Sequence, residues 1–163
     1  MYLVGDKVVH PMHGAGVISD IVEERLAGQK RSYYVFSLPV GELVLKIPTE
    51  SCEKIGIREL STSEAIDNLI SRIPELSVDM TVNWNQRYRE NMERLKSGRL
   101  VEVAQVIKAL MWRDRERGLS NGERKMLHSA KQILLSEVVL VNGSDYKETE
   151  QKLDQIMLFN GEQ

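Results

Sequence analysis

The hydrophobic pattern of this chain changes its period near Pro48, from alternation at every second residue to a repeat of three and four residues. Alternation is typical of a strand with one buried face, whereas the longer repeat is typical of an amphipathic helix. One segment cannot satisfy both periods, so the change predicts two kinds of structure in succession. We expect an N-terminal region of short β-strands followed by a C-terminal region of helices.

The N-terminal region contains four candidate strands, at residues 6–9, 15–23, 32–38 and 43–47. Each is short, contains β-branched or aromatic residues, and is separated from the next by residues that favour turns. Four or five short antiparallel strands are typical of SH3-like or Tudor-like barrels, whose closure removes most of the exposed sheet edges. We therefore predict a small antiparallel β-barrel.

Helix start signals recur through the C-terminal region. Ser61 with Glu64, and Ser120 with Glu123, have the spacing of a capping box, and Asn83 is a favourable N-cap. These signals predict an all-α bundle of about five helices, which makes the fold class α+β with two domains. The predicted helices cover about 61–73, 83–97, 100–117, 120–142 and 145–159.

The change of period also sets the predicted domain boundaries: a β-domain at 1–55, a linker at 56–60 and a helical domain at 61–163.

The sequence contains no apolar run near the roughly 18 residues that cross a bilayer. It opens without the features of a secretory signal, and the single Cys52 cannot form an internal disulfide. We expect a monomeric cytoplasmic protein that does not enter a membrane.

Charge is distributed unevenly, although the formal net charge is only -2. Residues 1–83 carry 8 basic and 12 acidic side chains, residues 84–131 carry 12 and 6, and residues 132–163 carry 2 and 6. A basic block inside an acidic protein suggests a polyanionic partner, because clustered cations release condensed counterions when they bind phosphates. The same pattern fits a solvated helix surface with many ion pairs, and charge alone does not separate the two.

The sequence offers little chemistry for catalysis. It has no phosphate-binding glycine loop and no nucleophile motif. His10 and His13 lie close together, but two imidazoles do not complete a tetrahedral metal site, so a role in shaping the turn is favoured. Cys52 is expected to pack as a small hydrophobic residue. We therefore expect no enzymatic activity, no cofactor and no metal.

Cations of the basic block fall near three predicted helix ends. If these ends converge, they form a cationic corner that can follow a phosphate backbone, and the helix start at Ser120 adds backbone N–H groups. An ion-paired alternative exists near Arg113, because Asp114 and Glu116 are interspersed there and cations stabilise a helix C-terminus in any case. The candidates are Arg87 and Arg89 in one helix, Arg113 near the end of the next, and Arg124 and Lys125 in the first turn of the one after.

Trp84 admits two interpretations. With Tyr88, Met92 and Leu95 it has helical spacing, which favours a place in the core or over a helix start. An exposed tryptophan beside arginines has another use, because an aromatic side chain pressed against a base step holds DNA kinked or melted. Periodicity alone favours the core.

Four motifs resemble the CarD/CdnL family of bacterial RNA polymerase-binding proteins. They are GDKVVHPMHGAGVI at Gly5–Ile18, LKIP at Leu45–Pro48, WNQRY at Trp84–Tyr88 and WRDRERGLSNGERKML at Trp112–Leu127. Their order and spacing extend the resemblance over nearly the whole chain. The N-terminal part is also similar to the polymerase-interacting domain of transcription-repair coupling factors, and the helical half distinguishes the two because no helicase motors follow.

The resemblance implies a Tudor-like domain that binds the polymerase β subunit and a helical domain that contacts promoter DNA at the upstream edge of the transcription bubble. Trp84 then corresponds to a family tryptophan that enters the minor groove, which reverses the preference drawn from periodicity. By position, Arg87, Arg89 and Arg124 correspond to basic DNA contacts. Gln86 stands where the family often has a basic residue, which implies one phosphate contact fewer.

On the polymerase-binding side the resemblance points to Lys46 and Arg25. Lys46 stands where an arginine is common in the family, whereas Arg25 is displaced by one position and Glu24 occupies the usual basic place. A one-residue step on a strand moves a side chain to the other face of the sheet. Lys46 is therefore the stronger candidate.

Together these observations predict a non-catalytic transcription regulator that binds RNA polymerase and promoter DNA, largely independently of sequence, and stabilises the open complex through a tryptophan wedge. The alternative is a protein–protein adaptor whose barrel binds a partner and whose helices do not touch nucleic acid. The candidate DNA contacts are Trp84, Arg87, Arg89, Arg113, Arg124 and Lys125, and the candidate polymerase contacts are Lys46 and Arg25.

Overall fold

The computed structural model describes residues 1–40, 42–78 and 83–159, so parts of the predicted helical domain, at 79–82 and 160–163, lie outside the described residues. An antiparallel five-stranded sheet is followed by a helical region, which confirms the predicted α+β class. The strands are β1 (Lys7–His10), β2 (Gly14–Leu26), β3 (Gln29–Leu38), β4 (Leu43–Pro48) and β5 (Arg58–Glu59), in the order β4-β3-β2-β1-β5. The helices are α1 (Cys52–Ile55), α2 (Ser63–Arg72), α3 (Trp84–Lys96), α4 (Leu100–Arg117), α5 (Asn121–Asn142) and α6 (Tyr146–Met157).

Alternation along the strands builds the core of the sheet. Tyr34, Phe36 and Leu38 of β3 are buried, and they pack with Val8 and Ile47 of the neighbouring strands. Successive strand residues point to opposite faces, so the intervening side chains of β3 face outward. The period-two pattern of the sequence is therefore the pattern of one buried sheet face.

The chain remains part of the sheet beyond the predicted end of the β-domain. Cys52 and Ile57 pack in the sheet core, and burial raises the pKa of the Cys52 thiol. Arg58 and Glu59 pair with β1 as strand β5. Residues 56–60, predicted as a linker, thus contribute a strand and a core side chain.

Side-chain caps begin most of the long helices where local sequence places them, but α4 begins after Arg99 without a side-chain cap and α2 begins at a different cap. The side chains of Asn83 and Ser120 accept hydrogen bonds from the backbone N–H groups of the first turns of α3 and α5, as predicted. Helix α2 departs from the prediction, because its N-cap is Thr62, whose side chain accepts from the N–H of Ala65. The predicted capping box at Ser61 is wrong, since the N–H of Ser61 donates to a distant carboxylate.

The sheet packs directly on α5, at the start of β2. The N–H of Ala15 donates to the hydroxyl of Ser136 over 2.8 Å, at a buried site. A Cβ at Gly14 would lie 2.3 Å from that same hydroxyl, and the φ of Gly14 is +99°. Only glycine satisfies both conditions, so Gly14 allows the close approach of strand and helix.

The carboxylate that accepts from the N–H of Ser61 is that of Glu137, which lies fully buried on α5. Both of its oxygens accept hydrogen bonds from Arg58, at 2.7 and 2.9 Å, and one also accepts from the N–H of Ser61 at 2.8 Å. Burial alone would raise the pKa of Glu137, but the hydrogen bonds from Arg58 and Ser61 and the charge of Arg58 outweigh it and lower the pKa. The ionised carboxylate therefore joins the sheet, the entry to α2 and α5.

Replacing Glu137 with Gln is expected to destabilise the protein by about 1–3 kcal/mol, because a buried carboxamide cannot offer two acceptor oxygens to the guanidinium of Arg58. The effect should depend on pH. The pKa of Glu137 is lowered in the folded state, so its contribution is complete above the unfolded-chain value of about 4.3 and is lost as pH falls through the folded-state pKa. Urea denaturation between pH 7 and pH 3.5 measures the difference from wild type, which should shrink below about pH 4.3.

The matched control is Glu64→Gln, which neutralises an exposed carboxylate of α2. This variant should unfold close to the wild-type midpoint. An unchanged midpoint for Glu137→Gln at neutral pH would contradict the role of this carboxylate as an anchor.

Candidate functional site

Trp84 begins α3 and lies against the start of α5. Its ring stacks on Tyr88, one helical turn later, with 5.0 Å between ring centroids and 18° between planes. Both rings lie near Gly122, where a Cβ would be 3.6 Å from Tyr88 and 3.8 Å from Trp84. The residue nevertheless remains 43% exposed. Trp84 is therefore neither a core residue nor a loose surface side chain, and one part of the indole is held while another part faces solvent.

The indole N–H is fixed by Ser120, the N-cap of α5. It donates to the Ser120 hydroxyl oxygen over 3.0 Å, and the same oxygen accepts from the backbone N–H of Glu123 at 3.2 Å. The hydroxyl lies 3.2 Å from a carboxylate oxygen of Glu123, to which its single proton is donated. Ser120 thus connects the tryptophan to a charged group inside the protein.

Glu123 is buried, with 2% of its side chain exposed, and it is paired with Arg87, with 6% exposed. The guanidinium of Arg87 donates to both carboxylate oxygens, at 2.9 and 3.2 Å. Arg87 therefore ties α3 to the first turn of α5. This burial argues against the predicted direct contact of Arg87 with DNA, because the guanidinium is not presented to solvent.

Arg113 of α4 lies at the same carboxylate. Its Nε is 3.9 Å from a Glu123 oxygen, and 18% of the side chain is exposed. Within the described part of the chain, this Nε is a buried side-chain nitrogen without a hydrogen-bond partner. The geometry gives Arg113 an internal electrostatic role, and little of its side chain is available to a ligand. We call Trp84, Arg87, Arg113, Ser120 and Glu123 the Glu123 cluster.

Glu123 stays ionised inside this cluster. Burial alone would raise its pKa, but hydrogen bonds from Arg87 and Ser120 and the charges of Arg87 and Arg113 outweigh burial, so the pKa is lowered. Elements α3, α4 and α5 therefore converge on one buried carboxylate, whereas the predicted cationic corner for a phosphate backbone stays a prediction.

The remaining predicted cations are exposed. Arg124 and Lys125 are exposed in the first turn of α5, and the Nε of Arg124 donates to the carbonyl of Leu119. Arg89 is exposed on α3, but five residues along a helix place it about 140° around the axis from Trp84. The structure thus leaves all three cations at the surface, two of them at the start of α5 and one on α3.

Two other cations of the basic block are already engaged. The Lys108 ammonium is buried and donates to the carbonyls of Ile73, Pro74 and Leu76, at 2.8 to 3.0 Å, and burial lowers its pKa. Lys131 forms ion pairs with Glu150 and Asp154. The excess of cations counted along the sequence therefore overstates the charge that faces solvent.

The two predicted polymerase contacts lie on opposite faces of the sheet. Lys46 of β4 is exposed and forms an ion pair with Glu24 of β2, across β3. Arg25 follows Glu24 with no shift of register, so it faces the other way, as expected from the one-residue step. Val44, 62% exposed, shares the face of Lys46 on β4, which is an edge strand of the sheet.

Sequence reasoning identified Ser120 and Glu123 only as a capping box. The backbone part of that motif is present, but the Glu123 side chain turns inward to Arg87. Arg87 and Glu123 are 36 residues apart in the chain, so no local sequence pattern reveals that they pair. The sequence signal that comes nearest to indicating this cluster is the spacing of Trp84 and Arg87, three residues apart at one predicted helix start, together with a second predicted helix start at Ser120.

No helix in the described part of the chain is long and apolar enough to cross a membrane.

Comparisons with known proteins cover both regions of the molecule. Residues 2–61 match the family described as "CarD-like/TRCF RID domain", and residues 68–154 match "CarD, C-terminal domain". The Bacillus subtilis (strain 168) protein named "Putative transcription factor YdeB" is 32% identical over 148 residues, which is 91% of this chain and 97% of that protein. The matched ranges contain β1 to β5 on one side and Trp84, Ser120 and Glu123 on the other. The chain therefore belongs to the CarD family of transcription regulators, and its sheet is the RNA polymerase-interacting domain of that family.

Proposed function

We propose that this protein binds the β subunit of RNA polymerase through its sheet and stabilises the open promoter complex by placing Trp84 against DNA at the upstream edge of the transcription bubble. It acts in the cytoplasm, at the nucleoid, without catalysis and without a cofactor. The observation that carries the proposal is a tryptophan that is half-exposed yet fixed at both its ring face and its N–H.

The state of Trp84 suits a wedge. A buried indole cannot reach a base step, and a mobile one loses conformational entropy when it is ordered. Here Tyr88 supports one ring face and Ser120 fixes the rotation of the ring, while the exposed part is available for stacking. Stacking of a base on an aromatic side chain contributes about 1–3 kcal/mol, which corresponds to roughly five- to more than a hundredfold in an equilibrium.

Phosphate contacts are assigned mainly to Arg124 and Lys125. They are exposed in the first turn of α5, where the positive end of the helix dipole also favours an anion. Such contacts orient a protein on DNA and carry little sequence information, which supports largely sequence-independent binding. Arg87 and Arg113 support the site from inside, through Glu123.

Docking on polymerase is assigned to the face of the sheet that carries Lys46 and Val44. An exposed cation beside an exposed apolar residue on an edge strand favours a protein partner, because edge strands accept additional strands and charges set the register of docking. The ion pair with Glu24 partly neutralises Lys46 in the free protein. A partner carboxylate must therefore compete with Glu24.

One observation favours the adaptor alternative, in which the helices contact no nucleic acid. Arg87 and Lys108 are buried, and Lys131 is ion-paired, so the basic block offers fewer exposed cations than its composition suggests. The dependence of DNA binding on salt separates the two functions, since phosphate contacts weaken steeply with rising salt.

Trp84→Ala is expected to shorten the open-complex lifetime at a kinetically unstable promoter by roughly five- to a hundredfold, the value of one lost stacking contact. Decay after addition of a competitor measures this lifetime. The matched control is Ile55→Ala, which removes an exposed apolar side chain of α1, remote in sequence from Trp84. A wild-type lifetime for Trp84→Ala, with polymerase binding intact, would remove the wedge from the mechanism.

Arg124→Gln and Lys125→Gln should each weaken DNA binding in the presence of polymerase, and each should reduce the slope of log affinity against log salt by about 1. Arg89→Gln should have a smaller effect, because Arg89 points away from Trp84. Arg72→Gln, in an exposed position on α2, is the control. Negligible binding that does not vary with salt, in the wild type as well as the variants, would favour the adaptor.

Lys46→Glu should reduce capture of core RNA polymerase by the full-length protein at least about tenfold, because it places two carboxylates side by side on the docking face and repels an acidic partner. Lys54→Glu makes the same charge change on exposed α1 and should retain capture. Equal capture by both variants would place the docking surface elsewhere on the molecule.

A further inference from the structure

The wedge residue is one member of a closed ring of contacts. Trp84 donates to Ser120, Ser120 donates to Glu123, Glu123 accepts from Arg87, and Arg87 lies three residues after Trp84 on the same helix. Each member is therefore held by the next, and the ring closes through the backbone of α3. Contacts that form a ring restrict one another more strongly than the same contacts taken singly.

The hydrogen positions in this ring follow from chemistry. The indole N–H and the backbone N–H of Glu123 can only donate, so the Ser120 oxygen must accept from both. Its single proton is then left for the carboxylate of Glu123, which is ionised and can only accept. The Ser120 hydroxyl has no freedom to rotate without losing one of these bonds, so the direction of the indole is determined.

We propose that Ser120 is a positioning residue for Trp84: its hydroxyl, oriented by Glu123, holds the indole in the rotamer that meets DNA before DNA arrives. This inference rests on the proposed function of Trp84. Ser120 adds no contact to DNA of its own in this role. It acts by removing the entropy that a free indole would lose on docking, and ordering one side chain changes an equilibrium by about two- to tenfold.

The chain offers a matched control for the loss of a helix cap. Ser120→Ala removes both the cap of α5 and the acceptor for the indole, whereas Thr62→Ala removes an equivalent cap from α2 and leaves the indole untouched. Ser120→Thr keeps a hydroxyl at the same place. Three variants thus separate a general loss of stability from a specific loss of positioning.

The first measurement is fluorine NMR of the full-length protein labelled with 5-fluorotryptophan, without DNA. The chain has two tryptophans, and Trp84→Phe assigns their resonances. Ser120→Ala should shift and narrow the Trp84 signal, as expected for a ring that rotates more freely, while the Trp112 signal stays in place. Thr62→Ala and Ser120→Thr should leave the Trp84 signal close to wild type.

The second measurement is the open-complex lifetime with polymerase. Ser120→Ala should shorten it about two- to tenfold, less than Trp84→Ala does, and Ser120→Thr should restore it. A lifetime equal to wild type or longer in Ser120→Ala would overturn the inference, the longer value meaning that the hydrogen bond holds the indole back. If Trp84→Ala itself has no effect on lifetime, the wedge fails, and the NMR signal still reports whether Ser120 fixes the indole.

Discussion

Two buried carboxylates on one helix connect the parts of this molecule. Glu123, in the first turn of α5, is paired with Arg87 of α3, and Glu137, further along α5, is paired with Arg58 of the sheet. An ionised carboxylate without a partner inside a protein costs several kcal/mol, so each arginine must be in place for α5 to pack. Helix α5 is therefore the common support of the sheet and of the helix that carries the exposed tryptophan.

The same pairing divides the cations near the start of α5 into two groups, one internal and one exposed. Arg87 and Arg113 surround Glu123 and maintain the geometry at the start of α3 and α5. Arg124 and Lys125 are exposed in the first turn of α5. A cation-rich sequence segment thus contains both buried arginines paired with a carboxylate and exposed cations, and only the structure separates them.

Local patterns were sufficient for most of the fold. The strands follow from alternation, and the helix starts at Asn83 and Ser120 follow from caps that bond within their own first turn. The prediction failed where the partner is remote in sequence. The Ser61 N–H binds Glu137, 76 residues away, which leaves Thr62 as the cap of α2. Helix α1, of four residues, is too short to show a period.

The candidate site was harder to predict for the same reason. The resemblance to a known family singled out Trp84, but neither family motifs nor spacing indicated that its N–H binds Ser120 or that Arg87 is buried. The burial of a side chain depends on which face of its helix packs against another element, and charge patterns do not indicate that face. Lys108 is an example of what charge patterns miss. From the sequence it is counted as a surface cation, but its ammonium is buried and donates to three backbone carbonyls.

The spacing of the two carboxylates on α5 has a geometric consequence. Glu137 lies 14 residues after Glu123, which at helical pitch is about 21 Å along the axis and within about 40° of four whole turns. The anchor for the sheet and the anchor for α3 therefore project from nearly the same side of α5. An inserted or deleted residue between them would swing one anchor by about 100° and change the reach by only about 1.5 Å. The angle between the two anchors around the helix axis is therefore far more sensitive to a change in the length of α5 than the distance between them.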